Sequence, residues 1–210
     1  DIGYVRRECS VGEFGGEKGL RLTVRTHIER GARKIDSVAE YFRPFDTPVG
    51  EAWSIRTTVR RPERGGQEQT AIETGAGTSD GVEVRVEGTA GVQSRHQTHP
   101  RPPQGYLPQL DARVLARLLP RDATGEYGFY WYNPNAGRVT YRWDRLTPTV
   151  DGFVISSRLT PDSPKLRARY DGQGDLIEQD LGQGRTLKRT NLESLRTLPT
   201  FHRRRQPHRL

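Results

Sequence analysis

Residues 20–29 read LRLTVRTHIE, in which apolar and polar side chains alternate along almost the whole stretch. Successive side chains of a β-strand point to opposite faces, so this stretch describes a strand with one apolar and one hydrated face. The same two-residue period returns at 53–60 (WSIRTTVR) and at 82–87 (VEVRVE). Antiparallel sheets with one packed face and one wet face have this pattern, whereas buried parallel strands read as continuous apolar runs. The chain is therefore predicted to be mainly β and antiparallel.

Glycine- and proline-containing breaks separate the alternating runs and predict the turns between strands. The runs predict strands at 2–10, 20–29, 34–43, 53–60, 69–74, 82–87, 92–98, 127–132, 138–145, 152–159, 165–170, 176–181 and 185–189.

The period changes once in the middle of the chain. Apolar residues there recur at intervals of three and four, which predicts a helix of about nine residues that ends before Pro120. These residues are Leu110, Val114, Leu115, Leu118 and Leu119. A second short helix is predicted at 192–198, because Thr190 and Glu193 have the spacing of a capping box.

The predicted fold is one strongly curved antiparallel sheet, an open half-barrel, wrapped around the central helix. We expect a single domain over 1–201 with a proline-rich loop at 99–109, followed by a basic disordered tail at 202–210. Two separate domains are disfavoured, because each half would be a thin sheet with few apolar groups to offset its conformational entropy.

The charge of the chain sets limits on its partners. The net charge is +8, and the four arginines of residues 202–210 supply half of it. The remaining charges are interleaved in sign, as on an ordinary β surface, which disfavours a nucleic-acid partner. No stretch approaches the roughly 20 apolar residues of a membrane span. The chain begins at Asp1 and contains no Met, which predicts a processed or excised piece.

The residue types that carry catalysis or bind metals do not form a recognisable motif. His96 and His99 lack further ligands nearby and should point to opposite faces of a strand or loop. Cys9 falls in a predicted strand, where a free cysteine is usually a small buried hydrophobe. Asp171 begins a tight turn, where its side chain should accept hydrogen bonds from its own backbone. We therefore expect no enzyme, no cofactor and no metal site.

The densest aromatic cluster, at 129–132, has two opposed faces. Phe129 and Trp131 should face one way, and Tyr130 and Tyr132 the other, with Trp143 paired across strands as ordinary core. Core packing is the favoured interpretation. The two tyrosines are the residues expected to line a groove if one exists.

The order of elements resembles a known family. Many antiparallel strands, a central helix and a last strand pair around residues 170–176 (YDGQGDL) resemble the bacterial lipoprotein-carrier-like group over most of 1–198. The resemblance implies an unclosed half-barrel whose concave apolar face receives lipid or lipoprotein acyl chains, with the helices as a lid. It also implies a periplasmic or otherwise extracytoplasmic location. The side chains it places near the inner face are Leu115, Leu118, Leu119, Phe129 and Trp131.

Three functions follow as hypotheses. The first is a non-catalytic, cell-envelope-associated domain that holds a lipid-like or other apolar ligand in its concave sheet. The second is a structural or interaction domain of a larger protein, without a ligand pocket, that meets a protein partner through a sheet edge. The third is a nucleic-acid binder that uses the basic tail and the outer arginines, whose binding would weaken steeply with salt.

Overall fold

The chain folds into two antiparallel sheets with one helix between them in sequence. The computed structural model describes residues 2–47, 50–61, 66–89, 91–102, 104–160, 163–182 and 184–190. The first sheet has seven strands in chain order: β1 (Ile2–Phe14), β2 (Glu17–Arg30), β3 (Arg33–Pro44), β4 (Ala52–Arg60), β5 (Glu68–Gly77), β6 (Gly81–Gly88) and β7 (Arg95–Pro100). After helix α1 (Gln109–Leu118), the second sheet has six strands: β8 (Gly125–Asn133), β9 (Arg138–Thr149), β10 (Gly152–Arg158), β11 (Leu166–Asp171), β12 (Leu176–Gly182) and β13 (Arg185–Lys188).

The mainly β antiparallel fold and its short central helix are confirmed, but the prediction of one continuous sheet is wrong. The reason lies in the segment that follows β7. The Leu107 N–H donates to the Tyr130 carbonyl at 2.8 Å, and the Tyr130 N–H donates to the Gly105 carbonyl at 2.8 Å. This segment therefore occupies the β8 edge, so β7 and β8 do not pair. A strongly curved half-barrel is not confirmed, because the sheets are not closed.

The first hairpin shows how local sequence sets the strand ends. β1 runs four residues beyond its predicted end, pairing with β2 from Ile2↔Glu29 to Phe14↔Glu17. The turn is Gly15-Gly16, with φ angles of 60° and 84°. A two-residue hairpin turn with positive φ at both positions matches the twist of the strands, and glycine adopts that conformation without strain.

The inner face of the first sheet holds the larger core. Leu22, Tyr41, Trp53, Gly75 and Val84 lie side by side on five successive strands, β2 to β6. The four side chains are buried, and the Trp53 ring covers Gly75. The predicted alternation is thus confirmed, because the apolar phase of these strands faces the core.

Helix α1 packs against both sheets. Leu110 joins the core of the first sheet, whereas Leu115 and Ala116 pack against Phe129 and Phe153 of the second sheet. Within the described part of the chain, no helical segment combines the length and the apolar character needed to span a membrane. The predicted helix at 192–198 and the basic tail at 202–210 lie outside the described residues.

The contact between Trp53 and Gly75 gives a stability prediction. A Cβ added at Gly75 would lie 2.0 Å from Trp53 Cζ2, so Gly75→Ala should force the indole ring to move. Overpacking of this kind costs about 1–3 kcal/mol of the free energy of unfolding, measurable by urea denaturation. The matched control is Gly172→Ala, because no atom lies within 4 Å of a Cβ at that position. Equal stability of Gly75→Ala and Gly172→Ala would contradict the packing described.

Candidate ligand-binding cavity

A cavity of about 920 Å³ lies between the β1 edge of the first sheet, helix α1 and the last strands of the second sheet. Its size is at the upper end of the roughly 300–1,000 Å³ found for small-molecule sites. β1 and β13 are edge strands of their respective sheets, and residues of both border the cavity. The described residues therefore leave a ligand-sized space between the two sheets unfilled.

Part of the cavity wall is apolar, with side chains supplied by both sheets and by α1. Val5 and Leu22 lie on the inner faces of β1 and β2. Leu22 is buried and pairs with Cys9 of β1, and Val5 lies on the same face of β1 as Cys9, because the two are four residues apart. The apolar and aromatic lining residues are Tyr4, Val5, Leu22, Val114, Ala116, Tyr170, Leu176 and Leu187.

The polar part of the wall is strongly cationic. Seven of its residues are basic: Arg6, Arg7, Arg25, Arg113, Arg117, Lys188 and Arg189. Asp175 is the one acidic residue among the described lining residues. This imbalance makes the cavity a region of positive potential.

Four of these cations are neutralised by carboxylates. Arg6 pairs with Glu8 and Arg117 with Asp175, Lys188 Nζ lies 3.5 Å from Glu178 Oε1, and Arg189 Nη1 lies 2.7 Å from Asp171 Oδ2. By contrast, Arg7, Arg25 and Arg113 have no carboxylate at ion-pair distance among the described residues. Arg25 lies on the outer phase of β2, opposite Arg6.

Arg7 and Arg113 approach the same region from different elements. Arg7 lies in the inner phase of β1, with Val24 as its register partner, and the Arg113 guanidinium carbon lies 4.6 Å from the Tyr41 ring centroid. Arg7 is exposed because it borders the open cavity, but neighbouring protein atoms displace part of its hydration shell. This desolvation lowers the pKa of Arg7, and the positive charge of Arg113 lowers it further.

The turn between β11 and β12 anchors the opposite wall to α1. Asp171 Oδ1 accepts hydrogen bonds from the backbone N–H groups of Gln173 at 3.0 Å and Asp175 at 2.9 Å, which confirms the predicted turn. These backbone donors, together with Arg189, lower the pKa of Asp171. Arg117 of α1 binds Asp175 and Arg121 binds the Gly172 carbonyl, so the turn is attached to the C-terminal end of the helix.

Glu51 attaches the other end of α1 to the first sheet. Its carboxylate is 2% exposed and accepts hydrogen bonds from the Tyr106 hydroxyl at 2.7 Å and the Gln109 backbone N–H at 2.6 Å. Gln109 is the first residue of α1, where a carboxylate also interacts favourably with the helix dipole. Burial nevertheless raises the pKa of Glu51, because removing the charge from water outweighs these bonds.

The seven side chains predicted to line a ligand site lie elsewhere. Leu115, Leu119, Phe129 and Trp131 belong to the packing between α1 and the second sheet, and Leu118 is 60% exposed. Tyr132 is fully buried against Trp53, with ring centroids 5.4 Å apart, so it is a core residue. Tyr130 lies on the outer face against Tyr141. None of the seven lines either cavity found among the described residues.

The structure also places four other residues that the sequence analysis singled out, namely His96, His99, Cys9 and Trp143. His96 and His99 lie on opposite faces of β7, as predicted, and His99 packs against Tyr132 at 5.4 Å. Cys9 was expected to be buried but is exposed, because it lies on an edge strand and borders the cavity. Trp143 was expected in the core but is 44% exposed on the outer face of β9.

Arg7 and Arg113 were not predicted as site residues. The sequence does contain a feature that singles out Arg7, because this charged residue occupies the apolar face of β1 between Val5 and Cys9. Arg113 was harder to find, because arginine is common on the exposed faces of helices. The cavity itself depends on where the two sheet edges end, which no local pattern specifies.

A second cavity of about 510 Å³ lies on the outer face of the first sheet. Small side chains such as Ser54, Thr74 and Ala76 form part of its floor. Arg21 and Glu40 at its border form an ion pair of 2.9 Å. It offers fewer basic groups than the larger cavity, and its border already holds an acidic partner.

Comparisons of this chain with protein-family models, with curated proteins and with solved structures find no match. The resemblance to the lipoprotein-carrier-like group is neither supported nor contradicted by them.

The raised pKa of Glu51 predicts a pH dependence of stability. A carboxyl group whose pKa is higher in the folded state stabilises the protein fully below the unfolded pKa, here the ordinary value of 4.5, and loses that contribution as pH rises. The free energy of unfolding of the wild type, relative to Glu51→Gln, should therefore fall as pH rises above 4.5. Urea unfolding at a series of pH values measures this difference.

Asp171→Asn is the matched comparison for that experiment, because the pKa of Asp171 is shifted downward. Its contribution is present above the ordinary pKa of 3.8 and is lost as pH falls through the folded value, so the sign is opposite. Slopes of the same sign for the two variants would contradict the environment described for Glu51.

Proposed function

We propose that this protein is a non-catalytic binding module that holds a lipid-like ligand in the cavity between its two sheets. The observation that supports the proposal most directly is the space of about 920 Å³ that the described residues leave open, bordered by apolar side chains of β1, α1 and β12. A packed protein interior normally leaves few voids larger than a water molecule. A cavity of this size with an apolar wall is the usual form of a small-molecule site.

The arrangement of anchors around the cavity also supports binding. Glu51 fixes the N-terminal end of α1, and Asp175 is bonded to Arg117 near its C-terminal end. With both ends attached, the helix holds the β1 edge and the β11–β12 turn apart. A preformed cavity avoids part of the ordering cost that a ligand would otherwise have to offset.

A specific observation favours an interaction domain as the second candidate. β1 is an edge strand of 13 residues, and part of its backbone is available for pairing with another chain. Tyr141 and Trp143 are also exposed on the outer face of the second sheet. This candidate requires no ligand in the cavity, so binding experiments with a small apolar probe separate the two functions. An extracytoplasmic location, which the family resemblance implies, stays a prediction.

A cavity-filling substitution tests the proposed function. Val5→Trp places a large side chain into the space, and an edge strand accommodates tryptophan well. Binding of decan-1-ol, measured by isothermal titration calorimetry, should weaken about tenfold, the effect of displacing roughly two methylene groups at about 0.8 kcal/mol each.

The control is Ser10→Trp, which adds the same side chain to the exposed outer phase of the same strand, away from the cavity. It should bind decan-1-ol like the wild type, and circular dichroism should show both variants folded. If the wild type binds neither decan-1-ol nor decanoate, the proposed function is wrong. Equal weakening by both substitutions would place the alcohol outside this cavity.

A further inference from the structure

Some positively charged side chains of the cavity wall, Arg7 and Arg113 among them, form no ion pair with a described carboxylate. Arg7 extends from β1 and Arg113 from α1, and both border the same space. Tyr41 and Tyr170 are the neighbours that interact with Arg7 besides Arg113 itself. The Glu73 carboxylate is near enough to affect Arg113 electrostatically, but it accepts hydrogen bonds from Trp53 Nε1 at 3.2 Å and the Tyr132 hydroxyl at 3.3 Å.

Arg7 and Arg113 are both exposed at the border of the cavity, and no described carboxylate lies at ion-pair distance from either. Like charges repel, and the surrounding protein screens them less than water does. Each guanidinium also carries five N–H donors, which water can hydrate in the free protein because both side chains are exposed. The aromatic ring of Tyr41 offers Arg113 a cation–π contact, which accepts no conventional hydrogen bond. An anion that enters the cavity would supply a counter-charge to both arginines and form charge-assisted hydrogen bonds with them.

We propose that the ligand is an anionic amphiphile whose carboxylate or phosphate head group binds Arg7 and Arg113 while its hydrocarbon chain lies against the apolar wall. This inference rests on the proposed function and specifies the class of ligand. Arginine suits the role, because its planar fork matches carboxylate and phosphate oxygens in bidentate geometry. The chain would contact Val5 and Leu22 on one side and Leu176 on the other.

The same basic residues disfavour a ligand with a positively charged head group. A cationic head group would add a positive charge to a cavity wall in which Arg7, Arg25 and Arg113 have no described carboxylate at ion-pair distance. A neutral alcohol could fill the apolar part, but it would leave Arg7 and Arg113 without a counter-charge. An inorganic anion could neutralise them, but it would leave the apolar wall in water. An amphiphile with an anionic head group satisfies both parts of the wall.

Calorimetric titration with probes of one chain length tests the head group. The probes are decanoate, decyl phosphate, decan-1-ol and decyltrimethylammonium, with inorganic phosphate as an anion without a chain. Decanoate or decyl phosphate should bind about tenfold to a hundredfold more tightly than decan-1-ol, the range expected for charge-assisted hydrogen bonds. A preference for only one of the two identifies the head group as carboxylate or phosphate. Decyltrimethylammonium and inorganic phosphate should bind more weakly than both anionic amphiphiles.

Substitution of the two arginines tests the location. Arg7→Gln and Arg113→Gln should each reduce the affinity for the preferred anionic probe about tenfold or more and leave decan-1-ol binding nearly unchanged. Retained alcohol binding shows that a variant is folded and its cavity intact. The control Arg60→Gln removes the same charge from the far end of β4, where Arg60 pairs with Glu68 at 2.7 Å, and should bind like the wild type.

The outcomes separate the two proposals. If decan-1-ol binds as tightly as both anionic probes, the anionic head group is wrong and the proposed function stands. If the anionic probes bind tightly but Arg60→Gln weakens them as much as Arg7→Gln and Arg113→Gln do, the site is wrong and the preference reflects net charge. If no decyl probe binds, both proposals fail.

Discussion

The structure depends on the attachment of α1 by a buried carboxylate. Glu51 lies just before β4, and it bonds both the Tyr106 hydroxyl and the first N–H of α1. A buried charge is costly unless it is well hydrogen-bonded, so its two donors must stay in place. This requirement fixes the start of the helix against the first sheet. The other end is held by Arg117 and Arg121 on the β11–β12 turn. The helix is thus fixed between the sheets, and the space beside it cannot close without breaking one of these attachments.

Arg142 of the second sheet is a largely buried cation with a structural role. Arg142 lies on the inner face of β9 and forms two hydrogen bonds with the fully buried Asp144, at 2.8 and 2.7 Å. Its guanidinium carbon also lies 5.5 Å from the Phe129 ring centroid and 5.7 Å from that of Trp131. Charge, hydrogen bonds and stacking are all satisfied there within the chain. Among the described residues no carboxylate lies at ion-pair distance from Arg7 or Arg113, which are also more exposed than Arg142, and this difference is the basis for proposing that a ligand binds them.

The strands could be predicted from the sequence because alternation is a local property. Each run predicted to be a strand forms one, and the errors are of a few residues at the ends, as at β1, where pairing with β2 extends the strand to Phe14. The division into two sheets could not be predicted in this way. The division depends on whether β7 or the segment around Leu107 pairs with the edge of β8. The alternation of apolar and polar residues in the sequence is compatible with either pairing.

The position of the cavity could not be predicted from the sequence for a related reason. Phe129 and Leu115 are apolar and face inward, as expected, but an inward apolar side chain either lines a cavity or fills it. Among the described residues the position of α1 decides the matter, because the helix packs on β8 and does not cover the side of the sheet formed by β11–β13. The sequence feature that was more informative is a polar residue in an apolar phase, as at Arg7. Such a residue interrupts the apolar face of its strand, and here it lies exposed at the border of the cavity.

The most direct test of the account is to locate a bound amphiphile. Stearic acid that carries a nitroxide on its chain broadens the nuclear magnetic resonance signals of nearby amide groups. The account predicts selective broadening at Val5 on β1, at Val114 on α1 and at Leu176 on β12, relieved by excess unlabelled stearic acid. Broadening confined to the outer face of the first sheet, around Ser54 and Thr74, would contradict it.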